Sequence, residues 1–179
     1  MVSIQEINTS HAAYAFVEQL WQQAFPQNER RDIAAQRWNI DQRAEFHCLY
    51  VEDEGVPIGF VTYWELDGFC YVEHFATDAT ARNRGYGCQI MATLQARVGD
   101  MPIVLEVEMP EDALSIRRVG FYERQGFTLW SDWSYIQPPY RNGDEPLPMR
   151  LMVWGDLLPE RDFARVSIAI HRAVYGVAR

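Results

Sequence analysis

The chain has 179 residues, of which 48% are hydrophobic and 13% aromatic, so it can fold around a buried core and is not a disordered chain. Its formal net charge of −9 argues against nucleic-acid binding, because phosphate groups would be repelled. Its apolar runs are far shorter than the roughly 20 residues that a membrane span needs, so no membrane partner is expected.

The cysteines and the N-terminus bear on the cellular compartment. Cys48, Cys70 and Cys88 are scattered and show no C-x-x-C spacing, which favours a reduced protein without a metal. No basic segment precedes an apolar stretch at the N-terminus, so no secretory signal is expected. Together these features predict a cytoplasmic protein.

The N-terminal part of the chain predicts a strand and two helices, followed by a meander of strands. Ser3–Asn8 alternates like a short strand, Ser10–Phe25 has helical spacing, and Asn28 is expected to cap a helix from Glu29 to about Ile40. Three neighbouring antiparallel strands are then expected, with turn residues between them, at Glu45–Glu52, Pro57–Leu66 and Phe69–Thr77.

The rest of the chain alternates between helices and strands. Helices are expected at Gly87–Val98, Asp112–Gln125 and Pro159–Tyr175, and strands at Ile103–Glu108, Thr128–Tyr135 and Pro148–Trp154. This order predicts an α/β fold with a mixed, mostly antiparallel sheet and helices on both sides. We expect a single domain over residues 1–179, with helix 159–175 as an appended element. The apolar stripe of that helix could dock on the sheet or on a second subunit, which leaves a homodimer open.

A polar segment, Arg82-Asn83-Arg84-Gly85-Tyr86-Gly87, lies between a predicted strand and a predicted helix. The start of a helix presents unpaired N–H groups and a positive dipole end, and glycine allows a ligand to approach the backbone closely. Two arginines add donors that suit phosphate oxygens. The segment lacks G-x-G-x-x-G, and the chain has no lysine for a P-loop, so another kind of phosphate ligand is predicted.

Two motifs carry a resemblance to a known family. The pattern Arg82-x-x-Gly85-x-Gly87 resembles the acetyl-CoA-binding motif R/Q-x-x-G-x-G/A of the GNAT N-acetyltransferases. One strand later, Phe121-Tyr122-Glu123-Arg124-Gln125-Gly126-Phe127 resembles the family segment F/L-Y-E-x-x-G-F. The resemblance is close from Val51 to Trp130. It departs from the family pattern at Ser115 and Arg118, where many members carry Asn and Ala.

The resemblance implies a fold in which the fourth and fifth strands splay apart and hold coenzyme A. It implies that acetyl-CoA is the cosubstrate and that the acetyl group passes directly to a primary amine of a small molecule, an amino acid or a peptide. The residues that it implies for coenzyme A binding are Phe75, Ala76, Thr77, Arg82, Asn83, Arg84, Gly85, Tyr86, Gly87, Cys88 and Tyr122.

Acetyl transfer needs an acid for the leaving thiolate and a base for the amine. Tyr122 matches the tyrosine to which the family resemblance assigns protonation of the thiolate, and the alternative is an aromatic side chain packed beneath the cofactor. Two carboxylates compete as the base: Glu73, on the same strand face as Tyr71 and Phe75, and Glu106, in a Leu-Glu-Val segment like those that carry a proposed base in some GNAT enzymes. A glutamate inside an apolar strand should have a raised pKa. The alternative for each is a structural carboxylate bonded to an arginine or to the backbone.

Three further groups lie near these candidates in the sequence. Strand alternation places His74 on the face opposite Glu73. By resemblance, a backbone N–H between Phe75 and Thr77 would stabilise the oxyanion. Cys88 falls in the first turn of a predicted helix, where the dipole lowers a thiol pKa, but a small buried residue is the favoured interpretation.

The acceptor is predicted from composition and from the resemblance, which implies an acceptor pocket built from the N-terminal helices, the early strands and the late-strand loop. A strongly acidic chain suits a small cationic amine, and aromatic side chains could hold an ammonium by cation–π contact. The aromatic candidates are Phe25, Trp38, Tyr63, Trp64, Trp133, Tyr135 and Tyr140. A non-catalytic module that senses acyl-CoA is the alternative from another class, and a preference for longer acyl groups stays open.

Overall fold

The computed structural model describes residues 2–177, which form two compact units. The first unit contains the residues up to Glu65 together with Val72–Gly99. The second contains Leu66–Tyr71 and the residues from Asp100 onward. The described residues have a mixed α/β fold whose sheet is mostly antiparallel, as the sequence predicts.

The first unit contains four strands and three helices. In chain order they are β1 (Val2–Glu6), α1 (Tyr14–Ala24), α2 (Ile33–Gln42), β2 (Phe46–Asp53), β3 (Val56–Leu66), β4 (Phe69–Thr77) and α3 (Tyr86–Val98). The last residue of β3 and the first three residues of β4 belong to the second unit. Strands β1, β2 and β3 pair in that order as antiparallel neighbours, and β4 lies next to β3.

The core of the first unit lies on both faces of its strands. Cys48 and Tyr50 of β2 pack with Trp21 and other residues of α1, and Leu49 and Val51, which alternate with them, are also fully buried. Consecutive residues of a strand point to opposite faces, so burial of both sets requires cover on each side. This explains why the central strands contain almost continuous apolar runs.

The segment between α1 and α2 differs from the prediction. Gln27–Glu29 form a short 3-10 helix, Arg30 has an extended backbone, and α2 begins at Ile33 with Asp32, not Asn28, at the N-cap position. The predicted helix start at Glu29 is therefore wrong. The reason is tertiary, because the Arg31 side chain between the two helical segments is buried and bonds to residues of other elements.

The second unit is arranged around one long strand. Its elements are β5 (Ile103–Glu108), α4 (Ala113–Arg124), β6 (Thr128–Leu129), β7 (Tyr135–Gln137), β8 (Leu147–Trp154) and α5 (Pro159–Tyr175). Strand β8 pairs antiparallel with β5 along one edge and with both β6 and β7 along the other.

The predicted strand Thr128–Tyr135 is two strands separated by a turn. The Trp133 N–H donates to the Trp130 carbonyl oxygen at 3.3 Å, and the Arg150 side chain donates to the Ser131 carbonyl oxygen at 2.9 Å. These bonds hold the chain out of the sheet between β6 and β7. A single continuous strand is therefore a wrong prediction for this segment.

Helix α5 has the bounds predicted for it. Val166, Ile170 and Val174, its apolar stripe, are buried within the chain, so this stripe does not offer a surface to a second subunit. Among the described residues, no helix combines the length and apolarity needed to cross a membrane.

A close backbone approach at Gly59 generates a stability prediction. A Cβ atom at Gly59 would lie 2.4 Å from the Ala76 carbonyl oxygen and 3.1 Å from the Thr77 Cα. Because both are backbone atoms, Gly59→Ala must displace the end of β4. We expect a loss of about 1–3 kcal/mol in the free energy of unfolding, measured by urea denaturation.

Gly120→Ala is the matched control. The nearest atom to a Cβ there is the Arg124 guanidinium nitrogen at 3.4 Å, which can move, and alanine favours the helix by about 0.5–1 kcal/mol. If Gly59→Ala unfolded at the same urea concentration as the wild type, the close approach at β4 would be contradicted.

Candidate functional site

The start of α3 is an exposed turn with an unusual backbone. Asp78 accepts a hydrogen bond from the Thr80 N–H at 2.9 Å and begins a 3-10 turn over Ala79–Ala81. Asn83 and Gly85 then adopt left-handed conformations with φ of 59° and 79°. Glycine adopts this region without strain and asparagine tolerates it better than most residues, so the sequence suits the turn.

The electrostatics of this turn favour an anion. Arg82, Asn83, Arg84 and Gly85 are exposed, and the fully described first turn of α3 contains no acidic residue. The helix dipole and the N–H groups of that turn therefore lie beside two arginines, and the carboxylates near them are Asp53 and Asp78, which lie outside the helix. The structure places Arg82–Gly85 as an exposed cationic surface directly before the buried Tyr86 and the partly buried Gly87.

Tyr86 anchors the turn to the sheet. Its side chain is buried, and its hydroxyl donates to the Asp53 carboxylate at 2.8 Å at the end of β2. The Arg84 guanidinium lies 5.4 Å from the centre of the Tyr86 ring. Tyr86 is therefore a support for the turn, while the adjacent exposed residues are accessible to a ligand.

Cys88 is exposed, so the interpretation of a buried cysteine is wrong. Each residue of a helix advances about 100°, which puts Cys88 roughly 200° around α3 from both Tyr86 and Ile90. Those two side chains belong to the buried face of the helix. The periodicity of the apolar stripe thus explains why Cys88 faces solvent.

The end of β4 is partly buried at Phe75, Ala76 and Thr77. The following Asp78 N–H donates to the Ile58 carbonyl oxygen at 2.7 Å, and Gly59 leaves room for the Ala76 carbonyl. Strand β3 therefore fixes the path of the segment whose N–H groups the family resemblance assigns to the oxyanion.

Glu73 in β4 is held in a buried ion pair. Its carboxylate accepts a bond from the Arg31 guanidinium and another from the Trp64 indole N–H at 2.8 Å, and its side chain has no exposed surface. Arg31 also donates to Gln36 and lies 5.6 Å from the Phe46 ring centre. Every strong partner in this arrangement stabilises the charged form of the carboxyl.

The expectation of a raised pKa is wrong for Glu73. Burial raises the pKa of this carboxyl, but the Arg31 charge and the two hydrogen bonds outweigh that effect, and the pKa lies below its ordinary value. Sequence alternation identified an apolar strand around Glu73 but could not show that a distant arginine reaches it.

His74 is buried among different residues from those that surround Glu73, as strand alternation predicts. The Trp21 indole N–H donates to its Nδ1 at 3.3 Å, its Nε2 is 3.0 Å from the Glu29 carbonyl oxygen, and the Phe25 ring centre lies 4.4 Å away. Burial lowers the pKa of His74, which favours the neutral ring with its proton on Nε2. This histidine ties α1 and the following segment to β4.

Glu106 in β5 has a different environment. Its carboxylate accepts bonds from the Tyr135 hydroxyl at 2.5 Å, the Gln137 amide at 2.6 Å and the Tyr175 hydroxyl at 2.9 Å. Burial raises the pKa of this carboxyl to about 7, although these bonds oppose the rise. The predicted raised pKa is confirmed for Glu106, and it allows the carboxyl to take up and release a proton near neutral pH.

Neither Gln137 nor Tyr175 was a predicted partner of Glu106. Gln137 lies two residues after Tyr135 on the same short strand, and side chains two residues apart in a strand point to the same face. This alternation was the one signal in the sequence that could have placed Gln137 beside Tyr135. Tyr175 is the last residue of α5, next to the recognised apolar stripe, and no local pattern links it to β5. Only the fold brings these side chains together.

Tyr122 in α4 is buried against aromatic neighbours. Its ring centre lies 5.1 Å from that of Phe121 and 5.5 Å from that of Phe127. Burial raises the pKa of the Tyr122 phenol to about 12, against a smaller opposing effect of the Arg118 charge. The phenol therefore keeps its proton at neutral pH, which is the form that a proton donor needs.

The aromatic acceptor candidates have diverse environments. Tyr63, Trp64 and Tyr135 are buried in the core, whereas Trp38 is 54% exposed and lies under the Arg43 guanidinium at 5.4 Å. Tyr140 packs against Tyr175 with ring centres 4.9 Å apart. Most of this set is thus accounted for by packing.

Residues 13–127, more than half of the chain, match the model of a protein family described as the acetyltransferase (GNAT) family. A solved structure from Bacteroides thetaiotaomicron that is assigned to the GNAT family is 45% identical, with a TM-score of 0.93 over 98% of this chain and 99% of that chain.

A second relative matches over a shorter length. YjbC of Bacillus subtilis (strain 168), named as an acetyltransferase, is 30% identical over 105 residues, which are 58% of this chain and 52% of that protein. The chain therefore spans about half the length of this relative.

A solved acetyltransferase of Bacillus subtilis in complex with CoA is 11% identical, with a TM-score of 0.55 over 88% of this chain and 100% of that chain, a likeness that shows the fold alone. The family match covers the strand, turn and helix of the Arg82–Gly87 segment and the whole of α4. With that match and the Bacteroides thetaiotaomicron structure in agreement over the fold, the chain belongs to the acetyltransferase (GNAT) family.

Proposed function

We propose that this chain transfers an acetyl group from acetyl-CoA directly to a primary amine. The observation that carries the proposal is the exposed, cationic turn at the start of α3, in a chain of the GNAT family. The acceptor is proposed to be a small cationic amine, an amino acid or a peptide. The net charge of −9 would attract such a molecule. None of the three cysteines, which all lie among the described residues, forms a disulfide, and this supports a cytoplasmic location for the reaction.

The residues at the turn fit a diphosphate. The N–H groups that open α3 supply donors in a turn that itself contains no acidic residue, and Arg82 and Arg84 add positive charge. Gly85 takes a conformation that most residues avoid and leaves open space where a Cβ would stand. By family resemblance, Phe75–Thr77 would contact the rest of coenzyme A, which supplies the activated thioester when bound.

We assign the base to Glu106 and not to Glu73. An attacking amine must lose its proton, and a carboxylate with a pKa of about 7 can accept that proton, directly or through water. Glu73 has a lowered pKa, and its carboxylate oxygens accept hydrogen bonds from Arg31 and Trp64. It is therefore a weaker base, and its oxygens are less available to accept a proton. In this assignment Glu73 supports β4 and does not take part in the proton transfer.

We assign the acid to Tyr122. The thiolate of coenzyme A needs a proton as the C–S bond breaks, and a phenol that stays protonated at neutral pH can donate one. The family motif around Phe121–Phe127 supports this role. The tetrahedral oxyanion would be stabilised by a backbone N–H of Phe75–Thr77.

The function is tested by measuring thiol release from acetyl-CoA with a panel of primary amines, with mass spectrometry of the products. Turnover with at least one amine, and an N-acetyl product, is the expected result. Tight binding of coenzyme A without turnover across a broad panel would support a non-catalytic sensor instead. Parallel reactions with longer acyl-CoA molecules would define the acyl group that is accepted.

Arg84→Gln should weaken the binding of coenzyme A by roughly tenfold or more, because a charge-assisted hydrogen bond contributes about 1.5–3 kcal/mol. Titration calorimetry with coenzyme A measures this change, and the loss should diminish as salt increases. Arg37→Gln is the matched control, since Arg37 is an exposed arginine paired with Glu18 in the same unit. Equal affinities in both variants would contradict the role of the turn.

Glu106→Gln should lower kcat/KM by about a hundredfold or more, the usual contribution of a general base. In the wild type, kcat/KM should fall as the pH drops below about 7, because the base must be deprotonated to act. Glu108→Gln is the control, since Glu108 lies on the same strand and forms an exposed pair with Arg118. A wild-type profile that stayed flat from pH 8 to about pH 5 would argue against Glu106.

A further inference from the structure

We infer that Tyr175, the last residue of α5, is a positioning residue for the base Glu106, so that the C-terminal helix takes part in catalysis. This inference rests on the proposed function. It assigns a catalytic contribution to a helix that the sequence predicts as an appended element. Tyr175 acts through Glu106 and is not itself placed on the substrate.

Three hydrogen bonds link Glu106, Gln137 and Tyr175 to one another. The Tyr175 hydroxyl donates to Oε2 of Glu106 at 2.9 Å. The Gln137 amide nitrogen donates both to the same Oε2 at 2.6 Å and to the Tyr175 hydroxyl oxygen at 2.9 Å. Tyr175 is thus oriented by Gln137, with its proton directed to the carboxylate. The other oxygen of Glu106 accepts from Tyr135, so both oxygens are fixed.

Helix α5 holds Tyr175 at a defined place. The buried side chain of Val174 precedes it, and Gly176, with a left-handed φ of 67°, ends the helix immediately after it. The Tyr175 ring also packs with Tyr140 at 4.9 Å and with His171 at 6.4 Å. A side chain fixed on both sides in this way has little freedom to leave the carboxylate.

The groups around Glu106 come from three elements and one loop within the second unit. They are Tyr71 of β4, Tyr135 and Gln137 of β7, and Tyr175 of α5, with Tyr140 and His171 packed against these rings. The donors to the carboxylate are hydroxyl and amide groups, which stabilise its ionised form only by hydrogen bonding. Removal of one of them should therefore change the proton affinity of Glu106 measurably.

Tyr175→Phe removes the hydroxyl and keeps the ring. We expect the titration midpoint of Glu106 to rise by about one pH unit, because a hydrogen bond to the charged form is lost. The experiment labels the glutamate carboxyls isotopically and follows them by NMR from about pH 5 to about pH 9 in the full chain, with Glu106 identified by its absence in Glu106→Gln. No acetyl-CoA or amine is needed for this measurement.

The same shift should appear in catalysis. Because the base is half ionised near pH 7, a rise of about one unit in its pKa lowers kcat/KM about fivefold at that pH. The difference in kcat/KM between the variant and the wild type disappears at about pH 9, where the base is ionised in both. Val174→Ala is the matched control, since it removes buried packing from the same helix without touching the carboxylate. This control should lose stability but keep the NMR titration midpoint of Glu106 and the midpoint of the pH profile of kcat/KM. Tyr175→Met is the second variant if Tyr175→Phe does not fold.

The outcomes separate the two proposals. If the wild type is active and Tyr175→Phe changes neither the titration midpoint of Glu106 nor the pH profile of kcat/KM, the inference is overturned and the proposed function is not. A shift in the titration midpoint without a shift in the pH profile would also overturn the inference. A wild type that bound coenzyme A but acetylated no amine would overturn the proposed function, even if the NMR midpoint moved as expected.

Discussion

The removal of water from two glutamate side chains is the constraint on which the functional interpretation of this protein depends. A carboxylate taken out of water must find partners or keep its proton. Glu73 finds the guanidinium of Arg31 and the indole of Trp64, and its pKa falls. Glu106 finds hydroxyl and amide donors without a cation, and its pKa rises to about 7. Two residues of the same type on strands therefore obtain opposite proton affinities.

The partners of Glu73 also explain the conformation of the N-terminal segment. The Arg31 side chain reaches Glu73 inside the first unit, and Arg30 and Asp32 on either side of it consequently have an extended backbone. His74 fixes the same segment through the Glu29 carbonyl and the Trp21 indole. Removal of one member of such a buried pair would leave an uncompensated charge, which is far more destabilising than the pair itself is stabilising.

The anion-binding turn and the proton-accepting carboxylate depend on different physical features. The turn depends on backbone conformation, since Asn83 and Gly85 set the path and the start of α3 supplies the N–H groups. Glu106 depends on side chains from β7 and α5 that are distant in the sequence. The first is a local property of a short segment, whereas the second is a property of the assembled unit. This difference explains why the turn was recognisable as a motif, whereas Glu106 was one of two candidate carboxylates and its partners were not predicted.

The sequence by itself determined most of the architecture. Periodicity placed β4, β5 and α5 at the residues where they occur, and the glycine and arginine spacing located the turn before α3 and the family to which the chain belongs. These features are local, because a strand, a helix or a turn is encoded within a few residues.

Only the tertiary structure decided the proton affinities of Glu73 and Glu106, the break between α1 and α2, the division of Thr128–Tyr135 into two strands, and the exposure of Cys88. The physical reason is that charge and burial at a residue depend on neighbours in space. Arg31 is 42 residues from Glu73 and Tyr175 is 69 from Glu106, so no local pattern reports either contact.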